Sequence, residues 1–178
     1  MADKTRIGLI QIYTGNGKGK STAAFGLALR AAGCGLRTAI VQFMKKGEWY
    51  GEIEGFRNLP FVEIYSYGGD TFLKKGTPPD QESLDLAAQA IGKAREIMAA
   101  EEVDILILDE LSNAVYFDLI TETEALSLFQ EKPAYMELVI TGRNATPAMI
   151  DQADLVTEMR EIKHPYQRGI QARKGIEY

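Results

Sequence analysis

Six short apolar runs recur along the chain, and they are mostly continuous instead of alternating with polar residues. Such runs are typical of strands buried on both faces, as in a parallel sheet that is covered by helices. The runs are Ile7–Tyr13, Thr38–Met44, Phe61–Tyr65, Val103–Leu108, Leu138–Thr141 and Leu155–Met159. They predict a mainly parallel sheet of about six strands.

Two long helical patterns lie between these runs. Residues 20–32 are rich in Ala and Leu and precede Gly33, a residue type favoured just beyond a helix end. From about residue 79 to residue 101, apolar residues recur at the spacing of one helical face. Both segments are therefore expected to pack one face against the sheet.

Two shorter helices have N-terminal signals in the sequence. Thr121 and Glu124 have the spacing of a capping box, and Thr146 followed by Pro147 suits the start of a helix. Alternating strands and helices predict a doubly wound α/β fold with helices on both faces of the sheet. The length of 178 residues is that of one domain, so we expect a single unit over residues 1–178.

Two segments interrupt the alternation, residues 45–60 and residues 66–78. Both are Gly-rich, aromatic and charged. In doubly wound folds, ligands bind beyond the carboxyl ends of the strands, where such loops lie. We therefore expect both segments beside a ligand.

The sequence TGNGKGKST, residues 14–22, joins the first strand to the first helix. Its glycines would let backbone N–H groups converge on a polyphosphate, next to the partial positive charge of a helix start. Lys20 would reach a terminal phosphate and Ser21 would ligate Mg²⁺. The segment predicts a nucleotide-binding, P-loop NTPase-like fold.

The match to the usual phosphate-loop pattern G-x-x-x-x-G-K-[ST] is incomplete. That pattern would place its first glycine at Thr14, whereas the first glycine here is Gly15, so the loop is one residue shorter. The alternative is a Gly-rich connection whose lysines point to water. The order of strand, glycines, Gly-Lys-Ser and helix favours the phosphate loop.

Acidic and basic residues at two later strand ends complete the predicted site. Asp109 and Glu110 follow four apolar residues, where a carboxylate can hold Mg²⁺ directly or through water. They could instead cap the next helix, a role compatible with metal binding. Arg143 could contact a polyphosphate, or it could be a surface arginine in a turn.

Composition narrows the classes of function. The net charge of −5 argues against a protein that binds nucleic acid through basic residues. One cysteine and one histidine cannot form an intramolecular disulfide or a zinc cluster. The first apolar run is too short to span a membrane, so we expect a cytoplasmic protein without a membrane segment.

These residues alone do not select a reaction. A phosphate loop serves hydrolysis, phosphoryl transfer or attack elsewhere on ATP. Glu110 could activate water, which would make the protein a small ATPase, and a kinase is equally open. A protein that binds nucleotide without catalysis is a third alternative.

Five motifs in order resemble the P-loop type of ATP:corrinoid adenosyltransferase, and the resemblance covers nearly the whole chain. That family has a shortened loop and then a strand that ends in Gln-Phe, followed by a segment with Lys, Gly, Trp and Gly-Glu. Leu-Asp-Glu and Thr-Gly-Arg come next. The ending here, with Lys-His-Pro-Tyr, Gly-Ile-Gln-Ala and Gly-Ile-Glu-Tyr, resembles the family most closely. The matching segments are Gly15–Thr22, Gln42–Glu52, Leu108–Glu110, Thr141–Arg143 and Lys163–Tyr178.

The resemblance implies that the reduced Co(I) of a corrinoid attacks the 5′ carbon of ATP and that triphosphate leaves. It implies catalytic roles for Lys20, Glu110 and Arg143, with Mg²⁺ or Mn²⁺ on Ser21, Asp109 and Glu110. It also implies a homodimer and a flavoprotein reductase as partners. The implied nucleotide-binding residues are Gly15, Asn16, Gly17, Lys18, Gly19, Lys20, Ser21 and Thr22.

The chain departs from better-known members in the loop expected to face the corrinoid. Those members have a phenylalanine and a tryptophan two residues apart, which displace the lower axial ligand of cobalt. Here residues 66–74 contain Tyr67 and Phe72 and no tryptophan. Trp49, Tyr67 and Phe72 are the implied corrinoid contacts, and core packing is the alternative for Phe72.

Overall fold

The computed structural model describes residues 4–46, 51–70 and 73–177. The strands are β1 (Ile10–Thr14), β2 (Thr38–Phe43), β3 (Val62–Tyr67), β4 (Ile105–Asp109), β5 (Glu137–Thr141) and β6 (Leu155–Glu158). The helices are α1 (Lys20–Gly33), α2 (Gly51–Arg57), α3 (Gln81–Ala100), α4 (Leu111–Tyr116), α5 (Glu122–Glu131) and α6 (Pro147–Gln152), and Pro165–Arg168 forms a 3₁₀ turn.

All five strand pairings are parallel, and the sheet has the order β3-β2-β4-β5-β1-β6. This confirms the predicted six-stranded doubly wound α/β fold. Because the strands are parallel, their carboxyl ends share one edge of the sheet. The loops after β1, β2, β4 and β5 therefore meet there, and these loops carry the candidate site.

Helices cover both faces of the sheet. On one face, α1 and α2 bury an alanine-rich surface with Phe25 and Phe56 against Ile40, Ile107 and Val139. Residues from α3, α4, α5 and α6 bury the opposite face. The central strand β4 is buried along its whole length, as its continuous apolar run predicts.

The predicted helix starts are confirmed by their hydrogen bonds. Thr121 accepts from the Glu124 amide while the Glu124 carboxylate accepts from the Thr121 amide, which completes the capping box of α5. Thr146 caps α6, with Pro147 at its first position. Within the described ranges, no helix combines the length and apolar character needed to cross a bilayer.

Several predicted boundaries are wrong. β1 begins at Ile10 because Ile7 lies outside the core and is 83 % exposed. Residues 45–60, which interrupt the alternation of strands and helices, contain α2, and sequence periodicity does not predict this helix. β6 pairs only with β1 among the described strands, and all four of its residues are exposed. It is an edge strand and is not buried on both faces.

Candidate active site

The phosphate loop leaves the sheet at Thr14 and enters α1 at Lys20. Gly19 stands at the N-cap with φ of 116°, a left-handed conformation that glycine adopts without strain. Gly15 has φ of 92°, and a Cβ atom there would lie 2.5 Å from the Met159 carbonyl oxygen. The shortened loop therefore requires both glycines.

The two ends of the loop face different surroundings. The Gly17 amide donates to the Met159 carbonyl at 2.6 Å, and the Met159 amide donates to the Thr14 carbonyl at 2.8 Å. These bonds fasten the first half of the loop to the segment after β6. A large cavity lies beside the second half of the loop. It is lined by residues 18–22 of the loop, whereas Gly15, Asn16 and Gly17 do not line it.

Lys20 lies inside the loop and is 7 % exposed. Its ammonium donates to the carbonyl oxygens of Gly15 at 2.8 Å and Gly17 at 2.7 Å. Burial lowers the pKa of Lys20, and the nearby Glu110 carboxylate opposes that shift. Because an ammonium has three N–H donors, two contacts with the loop leave one for an anion in the cavity.

Asp109 is fully buried at the end of β4. Its carboxylate accepts from Thr141 Oγ1 at 2.7 Å, Lys45 Nζ at 2.7 Å and Gln42 Nε2 at 3.1 Å. Burial alone raises the pKa of Asp109, but the Lys45 charge and the hydrogen bonds outweigh burial and lower it overall. The group is therefore a carboxylate at neutral pH.

Glu110 follows Asp109 in a left-handed conformation with φ of 66° at the N-cap position of α4, where its side chain makes no capping hydrogen bond. Its amide donates to Thr141 Oγ1 at 2.9 Å, and its carboxylate accepts from Asn113 Nδ2. Burial and the neighbouring Asp109 charge raise the pKa of Glu110. Glu110 thus lines the cavity from the start of α4, and its side chain does not cap that helix.

The oxygen donors near the loop suit Mg²⁺. Ser21 contributes to the lowered pKa of the Asp109 carboxyl, so the two side chains lie near each other, and Glu110 and Ser21 line the same cavity. Hydroxyl and carboxylate oxygens are the ligands that Mg²⁺ prefers. The three residues predicted for the metal are therefore brought together.

Arg143 is placed by the turn after β5. Its amide donates to Asn113 Oδ1 at 3.1 Å and its carbonyl accepts from Thr14 Oγ1 at 3.0 Å, so its backbone is tied to both α4 and β1. Its side chain lines the cavity with Lys20 and Glu110. Three strand ends thus contribute charged side chains to one space.

That cavity measures about 910 Å³. Cationic side chains surround its phosphate-loop end, and an apolar wall formed by α1 and α2 faces it. The apolar residues of the wall are Phe25, Leu29, Phe56 and Leu59. Phe25 and Phe56 meet edge to face at 5.5 Å between ring centroids, which fixes α2 against α1.

Comparison with known proteins identifies the family. The family model described as "ATP:corrinoid adenosyltransferase BtuR/CobO/CobP" matches residues 6–178. The chain belongs to this ATP:corrinoid adenosyltransferase family. The family match extends over the phosphate loop, the apolar wall and the C-terminal segment alike.

Curated relatives agree with that membership. The corrinoid adenosyltransferase of Pseudomonas aeruginosa is 38 % identical over 171 residues, which cover 96 % of this chain and 84 % of the relative. Corrinoid adenosyltransferase CobA of Salmonella typhimurium is 36 % identical over 174 residues, covering 96 % and 86 %. The corrinoid adenosyltransferase of a Sinorhizobium species is 40 % identical over 183 residues, covering 100 % and 84 %.

Among solved structures, the cytoplasmic domain of EssC matches with a TM-score of 0.54 at 16 % identity. The match covers 94 % of this chain and 34 % of that chain, so this chain spans about a third of its length. At such low identity, the likeness shows the fold alone.

Not every implied contact of the adenosyltransferase site lies in the large cavity. Tyr67 ends β3 and lines a separate cavity of about 320 Å³ with Met44, Leu73 and Phe117. Trp49 and Phe72 lie outside the described residues. The corrinoid roles of these three aromatic residues stay predictions.

Sequence reasoning missed the partners of Asp109. Gln42 interrupts an otherwise apolar strand, and Thr141 begins the T-G-R motif, so both were visible as polar residues in buried runs. Lys45 follows β2 by two residues and was assigned only to a loop. Its contact with Asp109 spans 64 residues of sequence, and local pattern carries no signal for it.

Proposed function

We propose that this protein transfers the 5′-deoxyadenosyl group of ATP to the Co(I) of a reduced corrinoid and releases triphosphate. One observation carries the proposal beyond family membership. A phosphate loop with Lys20, Glu110 and Arg143 opens directly into an apolar-walled cavity of about 910 Å³. A cavity of this kind can bind a polyanion at one end and a large apolar ring system at the other.

In the proposed step, the cobalt electron pair forms a bond with the 5′ carbon of the ribose. The bond between that carbon and its oxygen breaks, and the electron pair leaves with triphosphate. No proton moves, because the nucleophile carries none. The chain therefore needs to place cobalt in line with the breaking bond and to stabilise the negative charge of the leaving group.

Lys20, Arg143 and the amides at the start of α1 are the groups suited to that charge. Each donor aimed at it can contribute about 3–4 kcal/mol. Ser21, Glu110 and Asp109 would hold Mg²⁺ or Mn²⁺ beside them. When bound, such an ion supplies charge neutralisation to the triphosphate.

The remaining partner assignments are also part of this proposal. A homodimer is supported by the edge strand β6, where Leu155 is 41 % and Val156 is 39 % exposed. Because the reaction consumes Co(I), an electron donor must supply it, and we assign a flavoprotein reductase to that role. A cytoplasmic location is proposed as the compartment where such a reductase and ATP occur together.

The aromatic contacts with the corrinoid complete the proposal. Tyr67 and Phe72 are the candidates for displacing the lower axial ligand of cobalt, and Trp49 is a further contact. Tyr67 stands at the carboxyl end of β3, at the same sheet edge as the phosphate loop. That placement supports a role for Tyr67 in binding the corrinoid.

One experiment tests the proposed reaction against its alternatives. The protein is incubated with ATP, Mg²⁺ and chemically reduced cob(I)alamin, and the absorbance change of Co–C bond formation is followed. The phosphate product is then identified. Adenosylated corrinoid with one equivalent of inorganic triphosphate supports the transferase. ADP with phosphate would indicate an ATPase, a phosphorylated acceptor would indicate a kinase, and binding without turnover would indicate a carrier.

A further inference from the structure

The last described residues of the chain form part of the large cavity. Gly175, Ile176 and Glu177 line it together with the phosphate loop. Ile176 is 57 % exposed there, and Leu29 across the apolar wall is 58 % exposed. Two large apolar side chains exposed at one cavity are the kind of surface that a bound ligand covers.

A single lysine fastens this segment to the phosphate loop. The Lys18 ammonium donates to the Ile176 carbonyl oxygen at 2.8 Å and lies 3.3 Å from Glu177 Oε1. Ile176 and Glu177 are about 160 residues from Lys18 in sequence, so these contacts join the phosphate loop to the C-terminal segment. The Lys18 side chain is thus engaged by protein groups instead of being directed only to solvent.

Glu177 is held in turn by Arg173. The Arg173 amide donates to Glu177 Oε2 at 2.8 Å, and the guanidinium donates to Oε2 at 3.2 Å and to Oε1 at 3.0 Å. The side-chain and backbone hydrogen bonds from Arg173 lower the pKa of Glu177 to about 2. The carboxylate is therefore charged throughout the neutral range and can hold the Lys18 ammonium.

We propose that residues 173–177 form a second wall of the cavity, distinct from the apolar wall of α1 and α2, and that this second wall contacts the nucleoside of ATP through Ile176. Lys18 acts through its side chain as the anchor of this wall, and Glu177 is the positioning residue that holds Lys18. The nucleoside is the expected occupant because it is covalently joined to the phosphates, and Lys18 places Ile176 directly beside the phosphate loop. The proposal rests on the proposed function only in that ATP occupies this cavity.

This assignment separates two roles for Lys18. A lysine whose ammonium binds phosphate contributes equally to the affinity for ATP and for inorganic triphosphate. A lysine that anchors the wall contributes to the affinity for ATP alone, because triphosphate has no nucleoside to touch Ile176. Comparing the two ligands therefore tests the wall without relying on catalysis.

The experiment measures dissociation constants of the full-length protein by calorimetry, with Mg²⁺ present and either ATP or inorganic triphosphate as ligand. The variants are Lys18→Ala, Glu177→Gln and Ile176→Ala. We expect each to weaken ATP binding, Ile176→Ala by about fivefold, which corresponds to losing part of one aliphatic side chain from the contact. Triphosphate binding is expected to stay within about twofold of the original protein, the usual size of a surface substitution without a direct contact.

A double variant and a matched control make the test specific. Lys18→Ala combined with Glu177→Gln should weaken ATP binding by less than the sum of the two single changes, because both remove the contact between Lys18 and Glu177. Glu161→Gln removes a carboxylate from the same C-terminal region, where it accepts from Gln167 at 2.8 Å. That control should leave both affinities unchanged.

Two results would overturn the proposal. Parallel losses of ATP and triphosphate affinity in Lys18→Ala would make Lys18 a phosphate ligand. If Ile176→Ala bound ATP as tightly as the original protein, Ile176 would not contact the nucleoside. Because Ile176 is more than half exposed, its substitution is not expected to unfold the domain. Retained triphosphate binding would show that the phosphate site itself is intact, whatever the outcome for the wall.

Discussion

Replacing Lys45 with methionine tests the most buried ion pair described in the structure. Lys45 Nζ lies 2.7 Å from Asp109 Oδ2, and the side chains are 13 % and 0 % exposed. Methionine has nearly the length of the lysine stem, so Lys45→Met removes the charge and creates little empty volume. The variant leaves a carboxylate buried without its cation.

The expected cost follows from the remaining partners of Asp109. Removing one partner of a buried pair costs about 3–5 kcal/mol. Thr141 at 2.7 Å and Gln42 at 3.1 Å still donate to the carboxylate, which favours the lower end of that range. A loss of about 3 kcal/mol would lower the melting temperature by about 6–12 °C for a domain of this size.

Urea unfolding near pH 7.5, followed by circular dichroism, gives the change in the free energy of unfolding. Lys75→Met is the matched control, because Lys75 pairs with Asp118 at 2.9 Å while both side chains are exposed. That control should cost less than about 1 kcal/mol. Adding Asp109→Asn to Lys45→Met removes the unpaired charge and should recover about half of the loss.

Two outcomes would contradict this reasoning. If Lys45→Met were no more costly than Lys75→Met, the pair would contribute no more than an exposed one. If Asp109→Asn made the Lys45→Met protein still less stable, the cost would come from lost packing and not from an unpaired carboxylate.

Three further changes probe the loop, the turn after β5 and the cap of α5. Lys20→Ala should lower turnover at least about tenfold without unfolding the domain, because one charged donor to the leaving group is lost. Gly142→Ala should cost more than about 2 kcal/mol, since φ is 142° and the new Cβ would lie 2.7 Å from Ser112 Cβ. Glu124→Gln should cost about 0.5 kcal/mol at pH 7. The Thr121 hydrogen bonds lower the pKa of Glu124, so that difference should shrink as the pH falls below about 4.5.

Each change has a contrary result, and Gly142→Ala has a matched control. Gly92→Ala lies within α3, where no atom stands within 4 Å of the new Cβ, and it should stabilise by about 0.5–1 kcal/mol. If the Gly142→Ala protein were as stable as this control, the close approach of residue 142 to Ser112 would not affect stability. Turnover at the original rate in Lys20→Ala would exclude Lys20 from the mechanism. A pH-independent effect of Glu124→Gln would mean that ionisation does not strengthen the cap.

Sequence reasoning succeeded where the signal is local. Continuous apolar runs predict the central strands because those strands are covered on both faces. The Thr121 capping box and the phosphate loop are likewise defined by residues a few positions apart. Each of these features is specified by its own segment, so the rest of the chain is not needed to predict it.

The features that were missed depend on distant parts of the chain. α2 contains Gly51 and Gly55 and buries only Ile53 and Phe56, so its own propensity for helix is weak. It is stabilised by packing of Phe56 on Phe25, which local periodicity does not encode. β6 begins with the apolar pair Leu155 and Val156, as a buried strand would, and its exposure follows from its place at the edge of the sheet.

Lys45 lies between the phosphate-loop end of the large cavity and its apolar wall. On the phosphate side it pairs with Asp109, whose carboxylate also accepts from Thr141. On the apolar side its ammonium lies 4.0 Å from Glu52 Oε1 in α2 and 5.6 Å from the Phe25 ring centroid. Because α2 has few apolar anchors of its own, its position relative to the phosphate loop depends on this shared cation. A change in the charge around Asp109 is therefore expected to reach the apolar wall through Lys45.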